Sequence, residues 1–491
     1  MLFLGFSAGL PLLLIFSSLS LWLRDAGVSR STVTFFSWAA LGYSFKFVWA
    51  PLVDRLPLPV LTAWLGRRRA WLLFSQLAII ASMAFMASND PQDSLTIMAI
   101  GAVMLGFSSA TQDIVIDAYR IEAADPDLQA LMSSAYIAGY RIAMMIAGAG
   151  ALALADWFGS GSGEAYSYTA WSYAYLCMAG AMLVGIITTL CIGEPNSHQA
   201  SVHKYGTRDY LRFLGLFVAA TTVFALTFVT LASYIGDLSS TLKLIVGELA
   251  GAFLAEALRL TASVLTALLA AWGMVRLHVV SPGMVDETYV APFREFFERF
   301  GRLTLIILLL VATFRISDIV MGAVANVFYD DMGYTKQQIA VITKTFGLFM
   351  TIAGGFMGGI FAIRYGVMKS LLLGACLASS TNLLFALLAI SEPQSWMLAS
   401  VIAADNLSGG LASAAFIAYL SGLTSRAFTA MQYAVFSSLM TLLPKLLAGY
   451  SGTVVDAVGY PAFFIGSAVI GVPALLLVAY LGRRMPLANR L

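Results

Sequence analysis

Asp113, Asp117 and Arg120 are spaced four and three residues apart within the long, mainly apolar stretch SATQDIVIDAYR (109–120). On a helix that spacing gathers all three on one face within roughly 60°. Two carboxylates and a guanidinium on one face allow two chemistries. They can neutralise one another as a structural network, or one carboxylate can exchange a proton or meet a solute. Asp117 and Arg120 lie towards the end of the run, where charge is cheap. There they could lock Asp54 and the basic loop around Arg55, Arg67, Arg68 and Arg69 in one state, so Asp54, Arg55, Asp117 and Arg120 are read as conformational gating residues. Asp113 lies deeper and is read as protonatable or solute-facing.

Other ionisable residues interrupt apolar runs: Lys46, Arg141, Arg315 with Asp318, Lys344, Asp405 and Lys445. Proton coupling needs a group that changes charge between two accessible sides. No histidine falls in these runs, so a desolvated carboxylate is the group for the task. Asp113, Asp405 and Asp318 are the candidates. Asp318 follows Arg315 by three residues and can neutralise it, whereas Asp405 has Asn406 beside it and no local cation. With one carboxylate protonated, Lys46, Arg141, Arg315 and Lys344 leave a positive field suited to an anionic solute. Pairing or snorkelling is the alternative, and the preferred one for Lys445. Trp38, Tyr43, Trp49, Tyr136 and Tyr140 either stack on sugar rings or pack at the membrane interface.

The elements that carry these residues belong to a bilayer. Of 491 residues 60% are hydrophobic and 11% charged, against about 25% charged in soluble domains. Such a chain cannot coat soluble domains. The net charge of +2 gives no field for nucleic acid. Cys177, Cys191 and Cys376 form neither a disulfide framework nor a CxxC site, and His198, His203 and His278 flank the middle of the chain. No metal site is therefore expected, and the chain is read as a non-enzyme without a cofactor.

About 20 apolar residues cross the hydrocarbon layer as a helix. Spans are predicted near 2–23, 32–53, 70–88, 95–119, 129–155 and 168–192, and again near 303–328, 335–361, 367–390, 396–421, 427–452 and 460–482. Two more, 211–235 and 260–279, lie between the sets. The predicted fold class is an all-α polytopic membrane protein of fourteen spans. Its parts are an N-terminal six-helix bundle (1–192), a middle region of linkers, two extra transmembrane helices and an amphipathic helix (193–302), and a C-terminal six-helix bundle (303–491). Segment 241–259 is predicted as an interfacial helix on the outer side, and 280–302 as a cytoplasmic linker with a short amphipathic helix.

Lys and Arg concentrate in alternate connections: Arg55 and Arg67 to Arg69, His203 with Lys204, Arg208 and Arg212, Arg294 to Arg302, Arg364 with Lys369, Arg426, and Arg483 with Arg484. The intervening connections carry mainly Asp and Glu. Both termini are thus expected in the cytoplasm. The first span is expected to be a retained helix rather than a cleaved signal, since it lacks a basic leader. GSGSG (159–163) reads as a flexible outer connector. The Gly and Pro interruptions, among them Gly354, Gly355, Gly358 and Gly359, read as packing sites or hinges.

Spans three, six, nine and twelve hold no ionisable residue beyond their edges. That period of three implies inner helices around a polar path and third helices towards lipid, as in a transporter built from repeats. The pattern resembles the major facilitator superfamily. PLVDRL (51–56) followed by GRRR (66–69) is similar to that superfamily's loop motif, and GGIFAIRYG (358–366) is similar to a copy lacking the acid.

A narrower resemblance covers nearly all of 2–192 and 300–484. LGFSAGLPL (4–12), SFKFVWAPLVDR (44–55), GRRRAWLL (66–73), SATQDIVIDAYR (109–120) and GYRIAM (139–144) resemble the AmpG muropeptide permease family. So do ITKTFGL (342–348), DNLSGGL (405–411), FIAYLSGL (416–423) and MQYAVFSSL (431–439). The resemblance implies a multi-pass carrier of the bacterial inner membrane. It would import anhydro-muropeptides (GlcNAc-1,6-anhydro-MurNAc peptides) from periplasm to cytoplasm by proton symport, in peptidoglycan recycling and the induction of β-lactamase that underlies antibiotic resistance. It also implies protons, lipid and the muropeptide as partners, and a monomer. The substrate-binding candidates are then Lys46, Gln112, Tyr136, Tyr140, Arg141, Arg315, Lys344, Asn406 and Gln432. The region 193–300 departs from shorter family members.

The competing reading is a fourteen-span proton-coupled transporter of drugs or other small solutes. Such carriers bear a Pro-Gly signature in the fifth span, and GYRIAMMIAGAGALALA (139–155) has no proline. A membrane scaffold is disfavoured because it has no need of a costly polar interior.

Overall fold

Backbone groups in hydrocarbon have no water to bond, so each apolar run must close its hydrogen bonds within itself as a helix. The computed structural model describes residues 1–28, 33, 36, 41–159, 166–195 and 205–484, and every regular element among them is helical. Trp38, His198, His203, Lys204 and most of GSGSG lie outside the described residues.

Among the described residues twelve helices are long and apolar enough to cross a membrane. The expected count of fourteen is not confirmed. Two of the predicted spans fall short of the twelve. The described part of 32–53 is broken into Leu41–Phe45, a 3-10 turn Lys46–Val48 and Ala50–Arg55. Segment 427–452 forms the helix Thr429–Ala448, whose apolar content is diluted by Gln432, Ser437, Ser438, Thr441 and Lys445.

The chain divides into two compact units, Met1–Ser197 with Arg299–Leu491, and His198–Glu298. In the first, helices meet at glycines. A Cβ on Gly5 would fall 2.1 Å from the Tyr136 carbonyl oxygen, and one on Gly9 2.3 Å from that of Tyr140. Gly354 and Gly358 give the same intimacy with Leu407 and Leu411, at 2.1 and 2.8 Å. These glycines pack helices, which answers the choice between packing and hinges at those positions. Trp22 stacks on Trp171 in the N-terminal half, and Phe328, Phe385 and Phe464 cluster in the C-terminal half.

The third helix, Arg67–Ala87, exposes Phe74, Leu77 and Phe85 on one face. Its other face is not inert: Gln76 is buried and accepts a hydrogen bond from Thr189 at 2.9 Å. Several spans depart from regular α-helix. One is interrupted at Phe314–Arg315, between Thr304–Thr313 and Ile316–Asp331. Two contain π-helical turns, Ile146–Gly150 and Ala340–Phe346.

The second unit corrects a prediction. Segment 241–259 is not a separate interfacial helix. Residues up to Val246 finish a 40-residue helix that begins at Thr207, and Glu248 opens a 29-residue helix to Arg276. Gly247, at φ 92°, makes the turn. Forty residues at 1.5 Å each give about 60 Å, well beyond the hydrocarbon layer, so an amphipathic stretch continues the helix instead of starting a new one. Arg259 reaches back over the Phe228 ring, 3.8 Å from its centroid, and donates to the Phe228 carbonyl at 2.8 Å. The linker forms Ala291–Phe300, with Phe296 buried.

Candidate functional site

Polar residues inside the first unit form two zones. The first lies at the end bearing the basic loop. Gly66, at φ 87°, precedes the helix Arg67–Ala87 and lets the chain turn Arg68 inward. Arg68 is 1% exposed, and its Nη2 donates to Asp54 at 2.8 Å, Glu122 at 2.5 Å and Thr429 at 2.7 Å. Its Nε donates to Glu122 at 3.0 Å, and Thr429 closes the triangle by donating to Glu122. Arg67 adds a bond to the Asp54 carbonyl at 2.8 Å.

Asp54 also meets the start of the helix Thr429–Ala448, accepting from the Ala430 and Met431 amides at 3.2 and 2.9 Å. Those amides have no partner within their helix, and the helix dipole favours a carboxylate there. Arg55 lies 5.6 Å from the Phe428 ring centroid. Deeper in, Arg120 is fully buried and donates to Gln129, Ser133 and Ser421 at 3.2, 3.1 and 2.7 Å. It stands 5.3 Å from the Tyr433 ring and 3.5 Å from Asp117. Ser134 donates to the Gly355 carbonyl at 2.6 Å. Asp54, Arg68, Arg120 and Ser134 of the N-terminal half are thus each bonded to the C-terminal half.

The second zone lies nearer the middle of the spans. Lys46, placed by its 3-10 turn, stands 3.5 Å from Asp117. Asp113 is 8% exposed, and its buried Oδ1 has no hydrogen bond. The charges of Lys46 and Asp117 act on it, and Tyr43, Tyr136 and Tyr140 are within its electrostatic range. Tyr136 and Tyr140 hold their rings 5.9 Å apart. Gln112 is fully buried with neither amide atom bonded.

Arg141 is solvent-accessible and feels the charge of Arg315, which sits at the helix break in the opposite half. Arg315 acts on Asp318, and Asp318 on Asp405. Asp405 lies 3.1 Å from the Thr381 hydroxyl. Charges from the two halves therefore act on one another.

Three candidates stand apart. Asn406 is bound to Ile402 and Thr351 at 3.0 and 2.7 Å, where it braces two helices. Gln432 accepts from the Ser425 amide at 2.7 Å and from Arg299 at 3.5 Å, in the basic-end zone. Lys344 belongs to the π-helical turn Ala340–Phe346, and its side chain is outside the described residues. Lys445 is exposed.

Sequence reasoning missed Glu122, Thr429, Ser421, Tyr433 and Glu194. The last accepts the Arg68 and Arg69 amides at 2.8 and 3.0 Å and so caps the helix that carries Arg68. Only Glu122 and Glu194 had a usable signal, as carboxylates at span ends facing a triple arginine.

With this geometry in view, comparison with known proteins is informative. Over 482 residues the chain is 30% identical to a Rickettsia conorii protein bearing the AmpG name, covering 98% of this chain and 95% of that one. It is 28% identical over 480 residues to the anhydromuropeptide permease of Escherichia coli K12, covering 97% and 78%. A family model described as acetyl-coenzyme A transporter 1 matches residues 1–189. Among solved structures, the proton:xylose symporter XylE matches with a TM-score of 0.60 at 11% identity, covering 98% and 94%. The E. coli fucose:proton symporter FucP matches at 0.60 and 10%, covering 98% and 96%. The fold is that of the major facilitator superfamily.

Proposed function

The chain belongs to the AmpG transporter family, and on that footing we propose that it imports anhydro-muropeptides by proton symport across the bacterial inner membrane. It is a multi-pass membrane transporter and not an enzyme. One observation carries the mechanism. Gln112 and Asp113 hold buried polar atoms without hydrogen bonds, beside Lys46 and Asp117, in a protein whose two halves are bonded to each other at the basic end.

By the positive-inside bias the basic end is cytoplasmic and both termini with it. The halves then meet on the inside, and the path is offered to the periplasm. A solute with sugar hydroxyls and peptide carboxylates suits it: Tyr136 and Tyr140 for the rings, Gln112 for hydroxyls, Lys46, Arg141 and Arg315 for carboxylates. Asp113, with Asp405 and Asp318 as further candidates, takes a proton from outside. Its neutral form removes one negative charge from beside Lys46, which still pairs with Asp117, and so favours the anion. Rocking of the halves breaks the basic-end contacts of Asp54, Arg68 and Arg120 and opens the path inward, where the proton and solute leave together. This import supplies peptidoglycan recycling and the signal that induces β-lactamase.

The protein in liposomes with an acid exterior should accumulate labelled disaccharide-peptide, and a protonophore should abolish accumulation. Asp113→Asn should retain exchange of solute across the membrane at equal pH but lose gradient-driven accumulation. Accumulation indifferent to the protonophore would sink proton coupling. A panel of disaccharide-peptide, disaccharide and free peptide tests the substrate, and uptake of none rejects the muropeptide assignment.

A further inference from the structure

Asp117 stands between two cations and holds neither closely. Its Oδ2 is 3.5 Å from Lys46 Nζ and its Oδ1 is 3.5 Å from Arg120 Nη2, whereas a charge-assisted bond closes at about 2.8 Å. Arg120 is fully buried, and its Nε and Nη2 make no hydrogen bond. Those two nitrogens are the side-on edge through which a guanidinium grips a carboxylate with two parallel bonds. Asp117 stands just outside that edge. The remaining corner, Nη1, donates to Ser421 of the C-terminal half at 2.7 Å, beside its bonds to Gln129 and Ser133. One helical turn before Asp117, on the same face, Asp113 has a buried oxygen without a partner. Tyr43, Tyr136, Tyr140 and Tyr433 are within electrostatic range of these carboxylates, and phenols carry no charge at neutral pH.

We propose that Asp117 is a positioning residue that transmits binding: released from Lys46, it docks on the free edge of Arg120 and loosens the bond from Arg120 to the opposite half. Asp117 and Arg120 share one helix, so closing their gap draws the guanidinium towards its own half by about 0.7 Å. A movement of that size carries the 2.7 Å bond to Ser421 to the limit of hydrogen-bond distance. Ser421 keeps its own bond to the Ile417 carbonyl at 2.7 Å, so its hydroxyl is not stranded. Lys46 releases Asp117 when another carboxylate takes its ammonium. Two carboxylates are suited to that: one carried by the solute while Asp113 is protonated, or Asp113 itself once its proton has left. The loaded carrier and the empty, deprotonated carrier are therefore both loosened, and the cycle resets. A carrier with a proton and no solute keeps Lys46 on Asp117 and stays joined, which prevents proton leak. An ionised Asp113 competes with the solute's anion for Lys46, so solute does not cross without its proton. The coupling is then one proton for each carboxylate held at Lys46.

This inference rests on the transporter reading and adds to it a residue and a coupling ratio. The test uses the full chain in lipid, with its three exposed cysteines replaced by serine. Spin labels go at Asp125 and Arg426, exposed positions at the basic end of the two halves. The first arm needs no solute. Lys46→Gln frees Asp117 and should raise the separated population at least about fivefold, and adding Asp117→Asn should cancel the rise. In the second arm, disaccharide-peptide should raise the separated population of wild type by a similar factor. Asp117→Asn should bind it at least as tightly, since Lys46 is then unshared, yet show no change in distance. No rise in Lys46→Gln, or a rise that persists in the double variant, overturns the transmission role while leaving muropeptide transport intact. So does an Asp117→Asn protein that binds more weakly or still responds to solute. Should Lys46→Gln fail to fold, the second arm decides. Wild type that binds no disaccharide-peptide rejects the muropeptide reading, and the first arm then decides transmission alone.

Discussion

The basic-end zone and the mid-span zone use the same residue types to opposite ends. Around Arg68 most polar atoms have a partner: two carboxylates, a threonine hydroxyl and two helix amides converge, while Arg68 Nη1 and, deeper in, Arg120 Nε and Nη2 make no hydrogen bond. Around Asp113 and Gln112 buried oxygens and an amide nitrogen have none. A buried polar atom without a partner carries its full desolvation penalty. Satisfaction is what a latch needs, since its stability holds one state. Want of satisfaction is what a carrier needs where solute and proton must bind and leave.

The sharpest way to test that contrast is Arg68→Met. It removes the buried cation that Asp54 and Glu122 share, a loss of about 3–5 kcal/mol. Thermal unfolding of the protein in detergent should show a clear fall, and uptake should fall with it. A melting point equal to wild type would place Arg68 outside the latch.

A smaller effect is expected from Gly359→Ala, where a Cβ would stand 2.7 Å from the Ser134 hydroxyl and 3.2 Å from the Leu131 Cα. The added methyl presses on the contact between halves and should weaken the joined state by about 1–3 kcal/mol. Labels across the basic end should report more of the separated state, with the melting point little changed. Gln112→Met should have the least effect on stability, leaving it unchanged or raising it by about 1 kcal/mol, because it removes a buried amide that bonds nothing. Solute uptake should nevertheless drop. A destabilised Gln112→Met would mean that the amide is structural, and the contrast would lose its second half.

Much of the fold was legible because apolar runs in a bilayer have few alternatives. Deep charges such as Asp113, Arg141 and Arg315 were legible for the same reason, since ionisable residues in hydrocarbon are costly enough to stand out. The latch was only half legible. Asp54 and Arg120 drew notice by charge, but Thr429 and Ser421 look like ordinary hydroxyls at span ends until the fold places them against arginines hundreds of residues away. Asn406 shows the converse: a suggestive neighbour of Asp405 in sequence, it is turned to Thr351 by the helical rotation of one residue. The hairpin length was hidden because hydropathy marks where a helix may enter lipid and not how far it continues beyond it.

The irregular turns have a genealogical consequence. Lys46 opens a 3-10 turn, Arg141 lies one turn before the π-helical stretch Ile146–Gly150, Lys344 lies within Ala340–Phe346, and Lys445 follows Pro444 inside its helix. In the predicted span order these are the second, fifth, eighth and eleventh helices. Each is the middle member of a triplet, and each joins one cation to one interruption of its helix. Duplication of a three-helix block that already held a lysine or arginine beside a loosened turn accounts for all four at once. On that descent the four cations are copies of one ancestral residue that have since acquired different surroundings: Lys46 is buried beside Asp117, whereas Arg141 and Lys445 are exposed.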